Sequence, residues 1–195
     1  MLLTDREIEQ LFEQTQKKNP FMHPWAENAK RPGRISYGVS SCGYDVRIDD
    51  EVLLHKPDEK SVVDPKDPDL FKQFSLMPLD KSDQGYSITI PPHGFALAKT
   101  MEYVWMPEDV FALCVGKSTY ARCGLVVNTT PIEPGWHGHI TLELSNTTNA
   151  SLRVHIYEGI AQLVFFRLPK APKRSYATKG GKYQGQTDVT LPRVD

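Results

Sequence analysis

"GHITLELSN", residues 138–146, alternates strictly: Ile140, Leu142 and Leu144 fall on one side of an extended chain, and His139, Thr141, Glu143 and Ser145 on the other. This is the pattern of a half-buried β-strand. Its neighbours read alike. Short runs rich in Val, Ile, Tyr and Phe follow one another between Pro, Gly, Asp and Asn: "YSITI" (86–90), "FALAKTMEYVWM" (95–106), "VFALCV" (110–115), "GLVVN" (124–128), "SLRVHIY" (151–157) and "AQLVFFRL" (161–168). Many short strands separated by turn signals predict a mainly β fold.

One segment breaks the pattern. "LTDREIEQLFEQTQKK" (3–18) carries a helix start, with Thr4 as N-cap, Glu7 completing a capping box, and Leu3 and Ile8 placed for a hydrophobic staple. Ile8, Leu11 and Phe12 share one face, and Asn19-Pro20 ends the helix, which sets its span within residues 1–18. "DEKSVVDPKDPDLFKQF" (58–74) reads as a polar insertion, a loop or a short arm. The stretch from 175 to 195 is rich in Gly, Lys and polar residues. It is either a solvated tail or a flexible lid that places Tyr176, Lys182 and Gln186 over a bound anion.

At 195 residues the chain makes one domain with a full core. A formal charge of −1 argues against a general nucleic-acid or anionic-membrane binder, so any anion must be met by a local cluster. The N-terminus has no signal-like apolar region, and no stretch approaches the roughly 20 apolar residues of a membrane span, which points to a soluble, cytoplasmic protein. Cys42, Cys114 and Cys123 are odd in number and lack C-x-x-C spacing. They predict reduced, buried thiols rather than disulfides or a zinc site. His137 and His139 share a strand face, but no third ligand lies at a recognisable spacing, so no metal site is expected there.

"VGKSTYARCG" (115–124) has the Gly-Lys-Ser order of a phosphate-binding loop. The glycine that such a loop needs five positions before Gly116 is Phe111, inside a strand-like run, so it is not one. Lys117, Ser118, Thr119 and Arg122 still gather anion-binding groups within six residues. Glu143 stands among polar neighbours on its strand. It is a solvated residue unless a partner holds it and a pocket shields it.

"GKSTYARCGLVVNTTPIEPGWHGHITLELSNTT", with "SYGVSSCGYDVRI", "EGIAQLVFF" and "SYATKGGKYQGQ" in the same order along the chain, resembles the dCTP deaminase family of the trimeric dUTPase-like superfamily. The resemblance implies a distorted dUTPase-like β-barrel of the β-clip type, with a short N-terminal helix and a flexible C-terminal lid, assembled as a homotrimer with sites between subunits. It implies hydrolysis of dCTP to dUTP and ammonia, with Glu143 as general acid and base, Ser118 and the Pro131 carbonyl fixing the water, and Arg122 balancing charge beside the glutamate. The segment Lys117, Ser118, Thr119, Tyr120, Ala121 and Arg122 would bind the triphosphate from the neighbouring subunit, at a strand-to-helix junction. Thr141 and Leu142 would meet cytosine through their backbone, Glu133 the sugar 3′-hydroxyl and Trp136 the deoxyribose. Gln162, Tyr176, Lys182 and Gln186 would complete the nucleotide contacts.

Zinc deaminases carry an H-x-E…P-C-x-x-C signature that is absent from this sequence, so no zinc is expected. Mg²⁺ would come only with the triphosphate. A dUTPase on the same fold or a bifunctional enzyme that carries dCTP through to dUMP, and a nucleotide-binding trimer without catalysis, are the competing readings. The resemblance also makes dTTP a candidate inhibitor.

Overall fold

The computed structural model describes residues 1–17, 19–58 and 62–194. Lys18 at the end of the expected helix, Glu59, Lys60 and Ser61 of the polar insertion, and Asp195 of the tail lie outside the described residues. After helix α1 (Asp5–Thr15) the chain forms β1 (Met22–His23), β2 (Asn28–Ala29), β3 (Tyr37–Ser40), β4 (Gly43–His55), β5 (Phe74–Leu76), β6 (Asp80–Ser82), β7 (Gly85–Ile90), β8 (Phe95–Trp105) and β9 (Val110–Gly116). The one-turn helix α2 (Ser118–Ala121) leads to β10 (Leu125–Asn128), β11 (His137–Asn146), β12 (Leu152–His155) and β13 (Gly159–Arg167).

The larger sheet runs in the order β10-β11-β8-β4-β13-β9, with β1, β2, β3 and β5 attached along it; β12-β7-β6 forms a second sheet. The two ends of the larger sheet meet. Ala112 of β9 and Ile132, just past β10, exchange backbone hydrogen bonds of 3.0 and 2.9 Å, which curls the sheet into a distorted barrel and leaves less edge to solvent.

Alternation fixes which face turns inward. On β11, Ile140, Leu142 and Leu144 are buried, while His139, Thr141, Glu143 and Ser145 are half-buried on the opposite face. Burying each such leucine or isoleucine contributes about 1.5–3 kcal/mol, so a one-residue slip of this strand is strongly resisted. The core continues through Tyr44, Val46, Ile48, Phe21 and Phe165, the last two meeting edge to face at 5.0 Å.

Helix α1 begins as its sequence predicts. The Glu7 carboxylate accepts the Thr4 N–H at 2.8 Å and its hydroxyl at 2.9 Å, and Leu3 and Ile8 are wholly buried. The backbone hydrogen bond from Thr4 favours the ionised form and lowers the Glu7 pKa. The helix stops at Thr15, short of Asn19. The Thr15 hydroxyl donates to the Leu11 carbonyl at 2.9 Å and accepts the Phe21 N–H at 2.9 Å, which turns the chain towards β1.

Two expectations are corrected, and one open alternative is decided. The end of the polar insertion is not loop: Leu70–Gln73 forms a 3-10 turn with Leu70 buried, and Phe74 pairs with His55 as β5 joins β4. The His55 and Phe74 rings stack at 4.7 Å, an apolar gain that outweighs the polar surroundings. The thiols are free, but Cys42, in the turn between β3 and β4, and Cys123, just after α2, are exposed. Only Cys114 has a shielded sulfur, and burial pushes its thiol up to about 11. The segment after Ser175 is not a free tail in this structure but lies along β11 and β8.

No local pattern announces the ion pair inside the barrel. Glu102, with no exposed surface, accepts from Arg47 Nε at 2.6 Å and from the Arg47 backbone N–H at 2.9 Å. Burial raises the Glu102 pKa against the pull of the guanidinium. Among the described residues, no helix is long and apolar enough to cross a membrane.

Candidate active site

β10 pairs with β11 only as far as Asn128 opposite Glu143. Further along the same edge the C-terminal segment takes over: the His139 N–H donates to the Gln186 carbonyl at 3.0 Å, and the Gly185 N–H to the His137 carbonyl at 2.9 Å. Thr141 stands in the interval between them. Here a cleft of about 330 Å³ opens, bordered by Pro131, Glu133, Trp136, Thr141, Glu143, Tyr176 and Gln186. His55, Phe74, Phe95 and Leu97 supply an apolar side to it, and Leu97 lies directly opposite Glu143 in the β8–β11 register.

Glu143 therefore has both things that a working carboxylate needs. The Asn128 side-chain amide donates to its Oε2, and the cleft wall shields it on the Leu97 side. Glu133 pairs with the Lys179 ammonium. The Trp136 indole N–H donates to the Tyr183 carbonyl at 2.9 Å, so the ring is held at the cleft by the C-terminal segment. The Tyr176 N–H donates to the Pro134 carbonyl at 2.9 Å, and the Gln186 amide donates to the His139 carbonyl at 2.5 Å and to Thr141 Oγ1 at 3.1 Å. The Leu142 side chain is wholly buried, which leaves its backbone as the part that a ligand could meet. Lys182 is exposed, its ammonium 5.5 Å from the centre of the Tyr183 ring, and does not border the cleft.

The other expected residues lie elsewhere. β9 continues unbroken to Gly116, and the Lys117 N–H donates to the Ile160 carbonyl at 3.0 Å before α2 turns. This is a strand-to-helix junction. Ser118, Thr119, Ala121 and Arg122 are exposed, and Arg122 forms no ion pair with a described residue. Tyr120 points inward, and its hydroxyl accepts the His155 N–H at 2.8 Å. The Lys117 ammonium pairs with Asp45. Gln162 sits opposite Asp45 on one side and Val115 on the other, and its amide donates to the Ser40 hydroxyl at 2.7 Å. None of these side chains borders the cleft.

One chain thus carries the expected site in two separate parts. The histidines do other work: His137 Nδ1 lies 2.5 Å from the Tyr103 hydroxyl, its ring stacks on Trp105 at 4.4 Å, and burial lowers its pKa. Among the described residues, no group of three or more His, Cys, Asp or Glu could hold a metal ion. Sequence reasoning missed Asn128, the partner of Glu143. The β10–β11 pairing register would have found it, since the last residue of "GLVVN" falls opposite the glutamate.

The architecture is that of a distorted β-barrel, and the sequence comparisons say to which family of such barrels it belongs. The family model described as dCTP deaminase-like matches residues 2–168, and the chain belongs to that family. It is 47% identical over 191 residues to the dCTP deaminase of Ectopseudomonas mendocina, covering 98% of both chains. It is 50% identical over 173 residues to the dCTP deaminase of Nautilia profundicola, covering 88% of this chain and 89% of that one. The fold is similar to a crystal structure of 2′-deoxycytidine 5′-triphosphate deaminase from Agrobacterium tumefaciens, with a TM-score of 0.60 at 18% identity. That match covers 84% of this chain and 47% of the other, so this chain spans about half of its length.

Proposed function

We propose that the chain is a hydrolase that converts dCTP and water to dUTP and ammonia. The observation that carries this reading is Glu143, a carboxylate with an amide partner, in the wall of a cleft where the β11 edge is left open at Thr141. Cytosine C4 is a weak electrophile. Water must lose a proton as it attacks, N3 must gain one, and the amino group must leave as ammonia. Glu143 takes the water proton and passes it to N3; it then takes the remaining proton of the new C4 hydroxyl and delivers it to the amino group, so that C4=O forms as the C4–N bond breaks and ammonia leaves.

Ser118 and the Pro131 carbonyl hold the water, and Arg122 offsets the charge of the glutamate. Glu133 takes the sugar 3′-hydroxyl, Trp136 packs beside the deoxyribose, and the Thr141 and Leu142 backbone meets the base. Lys117 and Thr119, with Tyr120 and Ala121 through their backbone, take the triphosphate with its Mg²⁺, joined by Gln162, Tyr176, Lys182 and Gln186. Lys117 must exchange Asp45 for phosphate to do so, and Glu133 must share its carboxylate with Lys179.

Because Ser118 and Arg122 do not border the cleft that holds Glu143, the reading requires them from a neighbouring copy, in a homotrimer with shared sites. No zinc takes part, since the residues of the zinc deaminase signature are missing from the sequence. The setting is cytoplasmic synthesis of dUMP and dTTP, with dTTP as a candidate inhibitor.

The test is incubation of purified protein with dCTP and Mg²⁺, with ammonia and nucleotide products read by chromatography. Ammonia and dUTP in equal amounts, without pyrophosphate, are expected. Pyrophosphate in step with ammonia would establish the bifunctional alternative, and dCTP binding without ammonia the non-catalytic one.

A further inference from the structure

Lys99 is a half-buried lysine on β8, directly opposite Thr141 of β11, with only 13% of its side chain exposed. Its ammonium lies 2.9 Å from Glu51 Oε2, 3.9 Å from Asp49 and 3.8 Å from Asp188, and donates to the Thr187 carbonyl at 3.0 Å. Two of these carboxylates belong to the barrel, on β4, and the third to the C-terminal segment. The Val189 N–H donates to the same Glu51 at 3.3 Å, and the Val189 side chain is buried.

We propose that Lys99 is a positioning residue that clamps the C-terminal segment just beyond Gln186 and so holds the Gln186 amide at the cleft.

Electrostatics explains why a cation is needed at this point. Asp49, Glu51 and Asp188 converge on one place, and without the ammonium the barrel carboxylates would repel the segment that carries Asp188. Burial opposes the charge on Lys99, but the hydrogen bond to Glu51 and the surrounding carboxylates hold its pKa above the ordinary value. Chain order explains why this attachment matters. Tyr176, Tyr183 and Gly185 tie the segment down before Gln186, and Lys99 and Glu51 tie it down after. Gln186 is thereby bracketed, and its amide reaches the His139 carbonyl and Thr141 Oγ1. Lys99 is already paired with carboxylates and does not border the cleft. Its effect on a substrate passes through Gln186.

The link to catalysis rests on the deaminase reading, but the clamp does not. Amide hydrogen exchange of the nucleotide-free protein measures it at Gly185, Val189 and, on the barrel side, His139. In Lys99→Met these amides exchange about tenfold faster or more, because a local opening has become easier, while the N–H groups of β13 are unchanged. Lys99→Arg restores slow exchange. Should Lys99→Met fail to fold, Lys99→Met/Glu51→Gln removes one of the stranded carboxylates and has the same expected signature.

Exchange unchanged in the neutral variant overturns the clamp, whatever the enzyme does. With dCTP, Lys99→Met raises KM about tenfold and leaves kcat within about twofold, the split that belongs to lost binding rather than lost chemistry. Fast exchange with KM unaltered overturns the positioning role. A wild-type protein that releases no ammonia would refute the deaminase reading and still leave the clamp to be decided by exchange.

Discussion

The cleft and the α2 junction differ in how their polar groups are occupied. In the cleft every expected carboxylate already has a partner from its own chain: Asn128 for Glu143 and Lys179 for Glu133. At the junction Lys117 is held by Asp45, but Ser118, Thr119 and Arg122 stand exposed, and the Arg122 side chain forms no ion pair with a described residue. Exposed arginine is hydrated by water, whereas a carboxylate that gives up water to a cleft wall needs a partner in its place. The polar groups of the cleft are thus occupied within the chain, and those of Ser118, Thr119 and Arg122 face solvent.

Glu143→Gln would break the cleft half alone. The amide keeps the shape but cannot accept the proton from water, so kcat falls by roughly 10²–10⁴ while dCTP binding, measured by calorimetry, persists. Substantial residual turnover would place the proton shuttle elsewhere. Next in size is removal of the chain from Ser175 onward, which takes away Tyr176, Lys182 and Gln186 and leaves the strands. Hydrogen bonds to charged groups contribute about 1.5–3 kcal/mol each, so loss of even two of them should lower dCTP affinity at least about a hundredfold, with cooperative unfolding retained. Unchanged kinetics would mean that this segment is bystander structure.

Mixing joins the two halves. Arg122→Ala and Glu143→Gln subunits, each inactive alone, should regain about a quarter of wild-type sites after exchange into random trimers. Verified mixed trimers without activity would rule against shared sites. The smallest effect belongs to Asp45→Asn, which frees Lys117 from its carboxylate. Asparagine still offers Lys117 a hydrogen-bond acceptor at the same place, so KM for dCTP should drop by no more than about fivefold. A rise in KM would mean instead that Asp45 holds Lys117 where the triphosphate needs it.

What could be read from the sequence was local. The period of two in β11 placed Glu143 on the polar face, and the unbroken apolar run of β9 excluded a phosphate-binding loop by spacing alone. What could not be read was partnership across distance. Arg47 and Glu102 are 55 residues apart, and Lys99 and Thr187 are 88 apart, and no short-range periodicity marks either pair. β5 was hidden for a different reason. Its three residues follow a stretch of Asp, Pro and Lys, and their strand character comes from packing on His55 rather than from propensity. β1 and β2, at two residues each, are too short to carry any period.

The inward turn of Tyr120 has a mechanical consequence. Its hydroxyl is bonded to the backbone of His155 on β12, so the short helix is bolted to the second sheet while its neighbours in sequence face water. Exposure here does not mean looseness. That hydrogen bond and the buried ring stiffen the helix against the second sheet, and within the chain compliance falls to the strap after Ser175, whose hold on β11 and β8 is a row of separate contacts. Tyr120→Phe, which keeps the ring and loses the bolt, would shift some of that compliance into the helix without touching a single exposed atom.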